Sequence, residues 1–277
     1  MGRPWPLLKR TARAFWDDQM TQHAAALTYY GLMSLFPAAL LAVSLLGLLG
    51  QYPDTYNSVV SYLRDVVPSE TLTAVDQSLR AAIRHKGSAA TALAIALVTT
   101  FYGTTGVLES TRRALNVVFR VESGRSFLHR KLRDIASSLI LLALILVTLI
   151  LVFVGGRLAD HVFGKQAAHA WNIARWPAAV VLAMLAFAYV YAVTPDLPKR
   201  DYRTMLPGAV VAVVGWILGS YAFSRYLHHF SGIGAIYGAF AGAIVLVVWV
   251  WLTNVSMLFG AELNAQLQRG RSSPDLL

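Results

Sequence analysis

Charged side chains that could do chemistry are few in this chain, and two carboxylates stand out. Glu109 is followed by Arg112 and Arg113, the i+3 and i+4 spacing at which side chains on one helix face form local ion pairs. Glu262 lies in the run Gly260, Ala261, Glu262, Leu263, Asn264 at the end of a long apolar stretch. There it could pair with Arg112, Arg113 or Arg203 and close the inner side of a helical bundle, or make a plain packing contact. Neither carboxylate has a second acid within the same apolar segment, so paired general acid–base work is not expected. The seven histidines (23, 85, 129, 161, 169, 228 and 229) include no pair at the i, i+4 spacing of a helical metal site. With no cysteine, thiolate ligands and a disulfide framework are excluded. The chain also lacks a GxSxG nucleophile turn and a GxxxxGK[ST] phosphate loop. No catalytic residue, metal or cofactor is expected, and the chain reads as non-enzymatic.

A second set is uncharged but polar. Tyr30 and Ser34 share a small or polar stripe with Ala26 and Ala38, just before Pro37. Proline lacks an N–H and clashes with the carbonyl four residues back, so Pro37 is expected to kink or break its helix. Thr104 and Thr105 sit in a Gly- and Thr-rich run, while Tyr237 and Asn254 belong to the last apolar stretch. Gly238 stands in a row with Gly234 and Gly242, whose four-residue spacing lets helix backbones approach. Tyr30, Ser34, Pro37, Thr104, Thr105, Tyr237 and Asn254 are candidates to line a cavity. Glu109, Gly238 and Glu262 are candidates for packing around it.

The elements that would position these residues follow from where charge is missing. Of the residues, 56% are hydrophobic and 14% charged, against about 25% charged in a soluble domain, which excludes an ordinary soluble protein. Stretches without Asp, Glu, Lys or Arg run over 19–53, 87–108, 135–156, 176–195, 204–224 and 226–261. Each reaches the roughly 20 residues a helix needs to cross about 30 Å of hydrocarbon. The expected fold is all-α: one membrane domain over 1–277 with transmembrane helices at 24–50, 88–108, 135–156, 176–195, 206–227 and 234–260. Residues 1–23 read as an interfacial helix, with Trp5, Leu8, Ala12 and Phe15 at helical spacing, Trp16 beside them and Lys9, Arg10 and Arg13 on other faces. Residues 54–86 read as two amphipathic helices in the first outer loop, divided at Pro68.

Six spans put both termini on one side. That side collects 16 of the 24 Lys and Arg residues and the other side 8, so both termini are expected in the cytoplasm. The net charge of +10 is explained by basic residues beside helix ends, where anionic lipid attracts them, and no nucleic-acid partner is expected. Arg225 is the only full charge inside an expected span, and it lies near one end, where it can snorkel. An amphipathic or uncharged cargo suits such a lining better than an ion.

Several stretches carry a resemblance. The run Leu27–Pro37 (LTYYGLMSLFP), the triplet Leu206, Pro207, Gly208, the pair Tyr237 and Gly238, and the ending Leu258–Asn264 (LFGAELN) resemble the bacterial YihY/BrkB family. That family consists of six-helix inner-membrane proteins, some regarded as virulence factors, once mislabelled as ribonuclease BN. The resemblance implies a multi-pass protein of the bacterial inner (plasma) membrane with links to handling envelope lipid. The leading expectation is a protein that transports or handles lipid or another amphipathic cell-envelope component. The alternative is a non-transporting scaffold or assembly factor whose outer loop docks an envelope protein; a hydrolase or nuclease is a more distant reading. Expected partners are membrane lipids, an envelope protein at the outer loop and, through the glycine row, further copies of the chain as a homo-oligomer.

Overall fold

The computed structural model describes residues 4–48, 106–121, 155–197, 202–229 and 240–272, with eight helical positions between 136 and 148. Among the described residues every regular element is a helix. In chain order these are α1 (Pro4–Asp17), α2 (Met20–Leu48), α3 (106–119), α4 (Gly155–Val193), α5 (Tyr202–His229) and α6 (Phe240–Ser272). Residues 54–86, Thr104, Thr105, Tyr237 and Gly238 lie outside the described residues.

Local sequence explains the boundaries. Pro4 and Pro6 sit in the first turn of α1, where a missing N–H leaves no helical bond unmade. α1 stops because Gln19 turns left-handed at φ 53°, and His23 then bonds back to the Gln19 carbonyl to begin α2. α3 stops at Arg120, φ 54°. Its N–H bonds to Val117 O at 3.1 Å while Val121 N–H bonds to Asn116 O at 2.9 Å, the paired bonds of a Schellman ending. Glycine is usual at that left-handed position; here it is arginine.

α2 runs unbroken through Pro37, so the break admitted from the sequence is absent. Proline removes one backbone bond, and a helix in an apolar setting can carry that gap without ending. α4 and α5 likewise run through Pro177 and Pro207. Among the described residues, three helical segments are long and apolar enough to cross a membrane: Ile173–Val193, Tyr202–Leu227 and Gly242–Gly270. The shortest, 21 residues, rises roughly 32 Å. Along them large apolar side chains point outward, among them Ile173, Val181, Val214, Leu218, Tyr221 and Val247. In a soluble protein such faces would drive association, whereas hydrocarbon is their natural solvent.

The contacts divide into two compact units. Unit 1 holds Met1–Ala24, Leu108–Gly219 and Thr253–Leu277; unit 2 holds Ala25–Val107 and Ser220–Leu252. The largest fully buried side chains among the described residues all belong to unit 1, including Met20, Leu115, Tyr191, Met205, Leu258, Glu262 and Asn264.

Candidate functional site: a polar knot in unit 1

The crossing of α5 and α6 is the geometric base of the knot. A side chain on Gly208 would run into the Gly260 carbonyl, and one on Gly260 into the Gly208 carbonyl, so the two backbones touch with nothing between them. A methyl group on Gly260 would also come within 2.8 Å of Ala212 Cβ and the Tyr191 hydroxyl. That hydroxyl, wholly buried, donates to the Met257 carbonyl at 2.5 Å. Gly215, two turns farther along α5, leaves room instead, with Ser256 Oγ and Cβ at 3.8 and 3.9 Å from such a methyl.

Asn264 secures the crossing. Its Oδ1 accepts the Gly208 N–H at 2.8 Å and its Nδ2 donates to the Met205 carbonyl at 2.9 Å. Gly208 follows Pro207 in the opening turns of α5, and the amide side chain, with an acceptor and a donor, ties a backbone N–H and a backbone carbonyl there at once. Two stretches that carried the family resemblance, Leu206–Gly208 and Gly260–Asn264, therefore meet in space.

Around this crossing the ends of three more segments are tied in. Asn116 of α3 and Asp196, just past α4, bond reciprocally: Asn116 Nδ2 donates to Asp196 Oδ2 at 3.3 Å, and Asp196 N–H donates to Asn116 Oδ1 at 3.0 Å. Arg269 Nη2 donates to Val118 O at 2.6 Å, a cation capping the carbonyl end of α3. Arg120 Nη2 grips both oxygens of Asp18, at 2.7 and 3.0 Å. Both partners sit at left-handed turns, Arg120 in its own φ and Asp18 beside Gln19. Each such non-glycine turn costs about 1–2 kcal/mol, so the ion pair is held by strained backbone at both ends. Phe15 of α1 packs on Phe259 of α6 with ring centroids 5.7 Å apart.

Glu262 sits at the centre. Its side chain has no exposure, no nitrogen or hydroxyl donor among the described residues reaches either oxygen, and its side-chain hydrogen bond is with the Asp18 carboxylate, which requires a proton shared between the two acids. The Asp18 carboxylate stands beside it, with the Arg269 and Arg120 guanidinium groups in electrostatic range but donating to Val118 and Asp18. Arg112 and Arg113, considered from the sequence as partners for Glu262, bond to Glu109 instead, at 3.3 and 3.2 Å. The reason is spacing: three and four residues along one helix are nearer than any residue on another. Asp18 also acts on His23, which is half-buried; burial lowers the His23 pKa from 6.5, and the Asp18 charge offsets part of that.

The other candidate residues fall elsewhere. Asn254 is half-buried in unit 1, one residue from Thr253, whose hydroxyl accepts from Trp216 Nε1 at 3.1 Å. Tyr30 and Ser34 belong to unit 2. There the Tyr30 ring lies 2.8 Å from where a Gly106 methyl would be, and Ser34 Oγ donates back to the Gly31 carbonyl at 2.8 Å. Asp18, Arg120 and Arg269 were not singled out from the sequence. The signal for the first was present: an acidic pair, Asp17 and Asp18, between two helical patterns of different polarity. Among the described residues no group of three His, Cys, Asp or Glu side chains converges on a metal-sized site.

Residues 11–276 match the family described as Virulence factor BrkB. The ribonuclease-like protein YfkH of Bacillus subtilis is 28% identical over 257 residues, covering 91% of each chain. A UPF0761 membrane protein of Xanthomonas campestris pv. campestris is 26% identical over 275 residues, covering 96% of this chain and 61% of the relative. Its counterpart in Xanthomonas axonopodis pv. citri is likewise 26% identical, over 96% of this chain and 62% of that one. The chain thus spans about three fifths of these Xanthomonas relatives. No solved structure matches.

Proposed function

The chain belongs to the BrkB family of membrane proteins, and from that premise we propose that it handles or moves lipid, or another amphipathic envelope component, without catalysing a reaction. We place it in the bacterial inner membrane with six spans, both termini cytoplasmic and 54–86 forming the outer amphipathic loop. The observation that carries the reading is the distribution of charge along the three described spans. Residues 176–193, 204–224 and 242–261 hold no charged side chain, and charge enters only toward their ends, at Arg175, Arg203, Arg225, Glu262 and Arg269. A carrier of ions or protons uses titratable groups at mid-membrane; these spans offer indole, hydroxyl and amide groups such as Trp216, Thr253 and Asn254. Exposed basic residues at Lys9, Arg10, Arg13, Arg113 and Arg203 suit anionic headgroups.

The ribonuclease-like name of the Bacillus relative is not carried over. Hydrolysis of a phosphodiester calls for metal ligands or an accessible paired acid and base; the described residues gather no metal-ligand group, and the carboxylates that do meet, Asp18 and Glu262, are both buried away from such a substrate. Native mass spectrometry of the purified full chain tests the proposal: bound phospholipid surviving detergent exchange, and displaced by added lipid at a defined stoichiometry, is the expected result. A correctly folded chain that retains no lipid above the level of an unrelated six-span protein would overturn it and favour the scaffold reading.

A further inference from the structure

α1 is amphipathic twice over. One stripe faces its own unit: Thr11 is wholly buried and Phe15 nearly so, against Phe259. A second stripe faces outward. Trp5 is 72% exposed, Leu8 43% and Trp16 68%, and at 100° per residue all three fall within an arc of about 80°. Lys9 follows on the edge of that arc, then Arg13 and Arg10 farther round, and all three are exposed. Arg13 has only a 4.0 Å contact with Asp17, both side chains being largely open to solvent. Two indoles and a leucine left in water are unfavourable, and apart from the edge contact of Trp16 with Phe15 both indoles stay largely uncovered.

We infer that this outer stripe of α1 is a recognition surface for anionic phospholipid headgroups, with Trp5, Leu8 and Trp16 set below the headgroup plane and Lys9, Arg10 and Arg13 on the phosphates. Charge decides the occupant. A second apolar protein surface would cover the indoles but do nothing for the cations beside them, of which only Arg13 has an acidic neighbour among the described residues, Asp17 at 4.0 Å, whereas an anionic bilayer satisfies both halves at one depth. Tryptophan is suited to that depth, because its ring is apolar and its N–H polar. The surface is also pre-organised. Phe15 on Phe259 and the Asp18–Arg120 pair hold α1 by its inner stripe and its end, so docking need not order a free helix. Charge dependence separates this surface from a purely apolar anchor, and its fixed hold on unit 1 separates it from a helix that orders only on the bilayer. It stands whether or not the chain moves lipid.

The test uses the full chain, which has no cysteine of its own. Leu8→Cys, labelled with an environment-sensitive fluorophore, is placed in nanodiscs of phosphatidylcholine alone or with added phosphatidylglycerol. The expected result is brighter, blue-shifted emission in the anionic discs, quenched by shallow nitroxide-labelled lipid. The docked-to-free ratio should fall about fivefold for each of Lys9→Gln, Arg10→Gln and Arg13→Gln. Raising the ionic strength on the unsubstituted, labelled chain must reverse the shift, which keeps the test valid if a charge variant folds poorly. Emission identical in the two lipid compositions overturns the inference. So does apolar emission that depends on protein concentration rather than lipid charge, which would assign the stripe to a second copy of the chain.

Discussion

Replacing Glu262 by glutamine is the perturbation the polar knot answers most clearly. Glutamine has nearly the same shape, so the packing against α5 is kept, but one acceptor becomes an N–H2 group facing the Asp18 carboxylate. In the native chain no nitrogen or hydroxyl donor among the described residues reaches the enclosed Glu262 oxygens, and the side-chain hydrogen bond they do enter is with the Asp18 carboxylate; the glutamine N–H2 can make the same bond. What glutamine forfeits is attraction from Arg269 and Arg120, which is reduced because both guanidiniums already donate elsewhere. E262Q should therefore stay within about 1 kcal/mol of native, a change in the unfolding midpoint of no more than roughly 4 °C for a domain of this size. Thermal unfolding followed by tryptophan emission in detergent micelles reads it. The companion Glu262→Ala, which opens a cavity, lowers the midpoint. An E262Q midpoint as low as that of Glu262→Ala would refute the reasoning, because it would mean that Glu262 is held as an anion by Arg269 and Arg120 rather than through a proton shared with Asp18. A residue whose neutral substitute is just as stable is kept for something other than stability, so E262Q should also impair whatever the chain does with lipid.

Three further outcomes follow from the same geometry. Gly208→Ala and Gly260→Ala each drive a methyl into a backbone carbonyl and should lower stability by several kcal/mol, whereas Gly215→Ala, with its nearest neighbours at 3.8 Å, should leave the midpoint unchanged or raise it by up to about 1 kcal/mol. Arg120→Gly relieves a left-handed arginine worth about 1–2 kcal/mol but strips the guanidinium from Asp18, whose side chain is only 6% exposed, a larger loss than at a surface pair; its midpoint should therefore fall below native, and Arg120→Ala, which keeps the left-handed turn, should fall further. His23, whose folded pKa lies below 6.5, is preferred neutral in the fold. Its contribution is therefore complete above about pH 6.5 and is lost as pH falls through the lowered value, so His23→Gln should flatten the acid side of a stability–pH profile; an unchanged slope contradicts the assignment.

Charge-free length is enough to identify helices able to cross a membrane, because that property is additive along the chain. The Glu109–Arg112–Arg113 set was legible for the same reason, since spacing on one helix decides it. What the sequence could not supply was contact between distant segments. Glu262 looked like an interfacial acid awaiting an arginine, yet it is enclosed beside another acid, because Asp18 reaches it from a turn whose left-handed Gln19 carries no glycine signature. The Trp5–Phe15 stripe of α1 read as one face and proved to be two, with Phe15 turned inward on Phe259. Close helix approach was signalled by several glycine spacings, and among the described glycines it occurs at Gly208 and Gly260, which lie on different helices and share no motif.

Transbilayer redistribution of a fluorescent phospholipid in vesicles reconstituted with the full chain tests the central claim most directly. A membrane-impermeant reductant bleaches only outer-leaflet label in protein-free vesicles. With the chain present, label from the inner leaflet should become accessible in proportion to the number of vesicles that carry protein, and E262Q should slow that exchange while remaining folded. Bleaching that stops at the outer leaflet, with the chain inserted and its unfolding transition intact, would contradict the account.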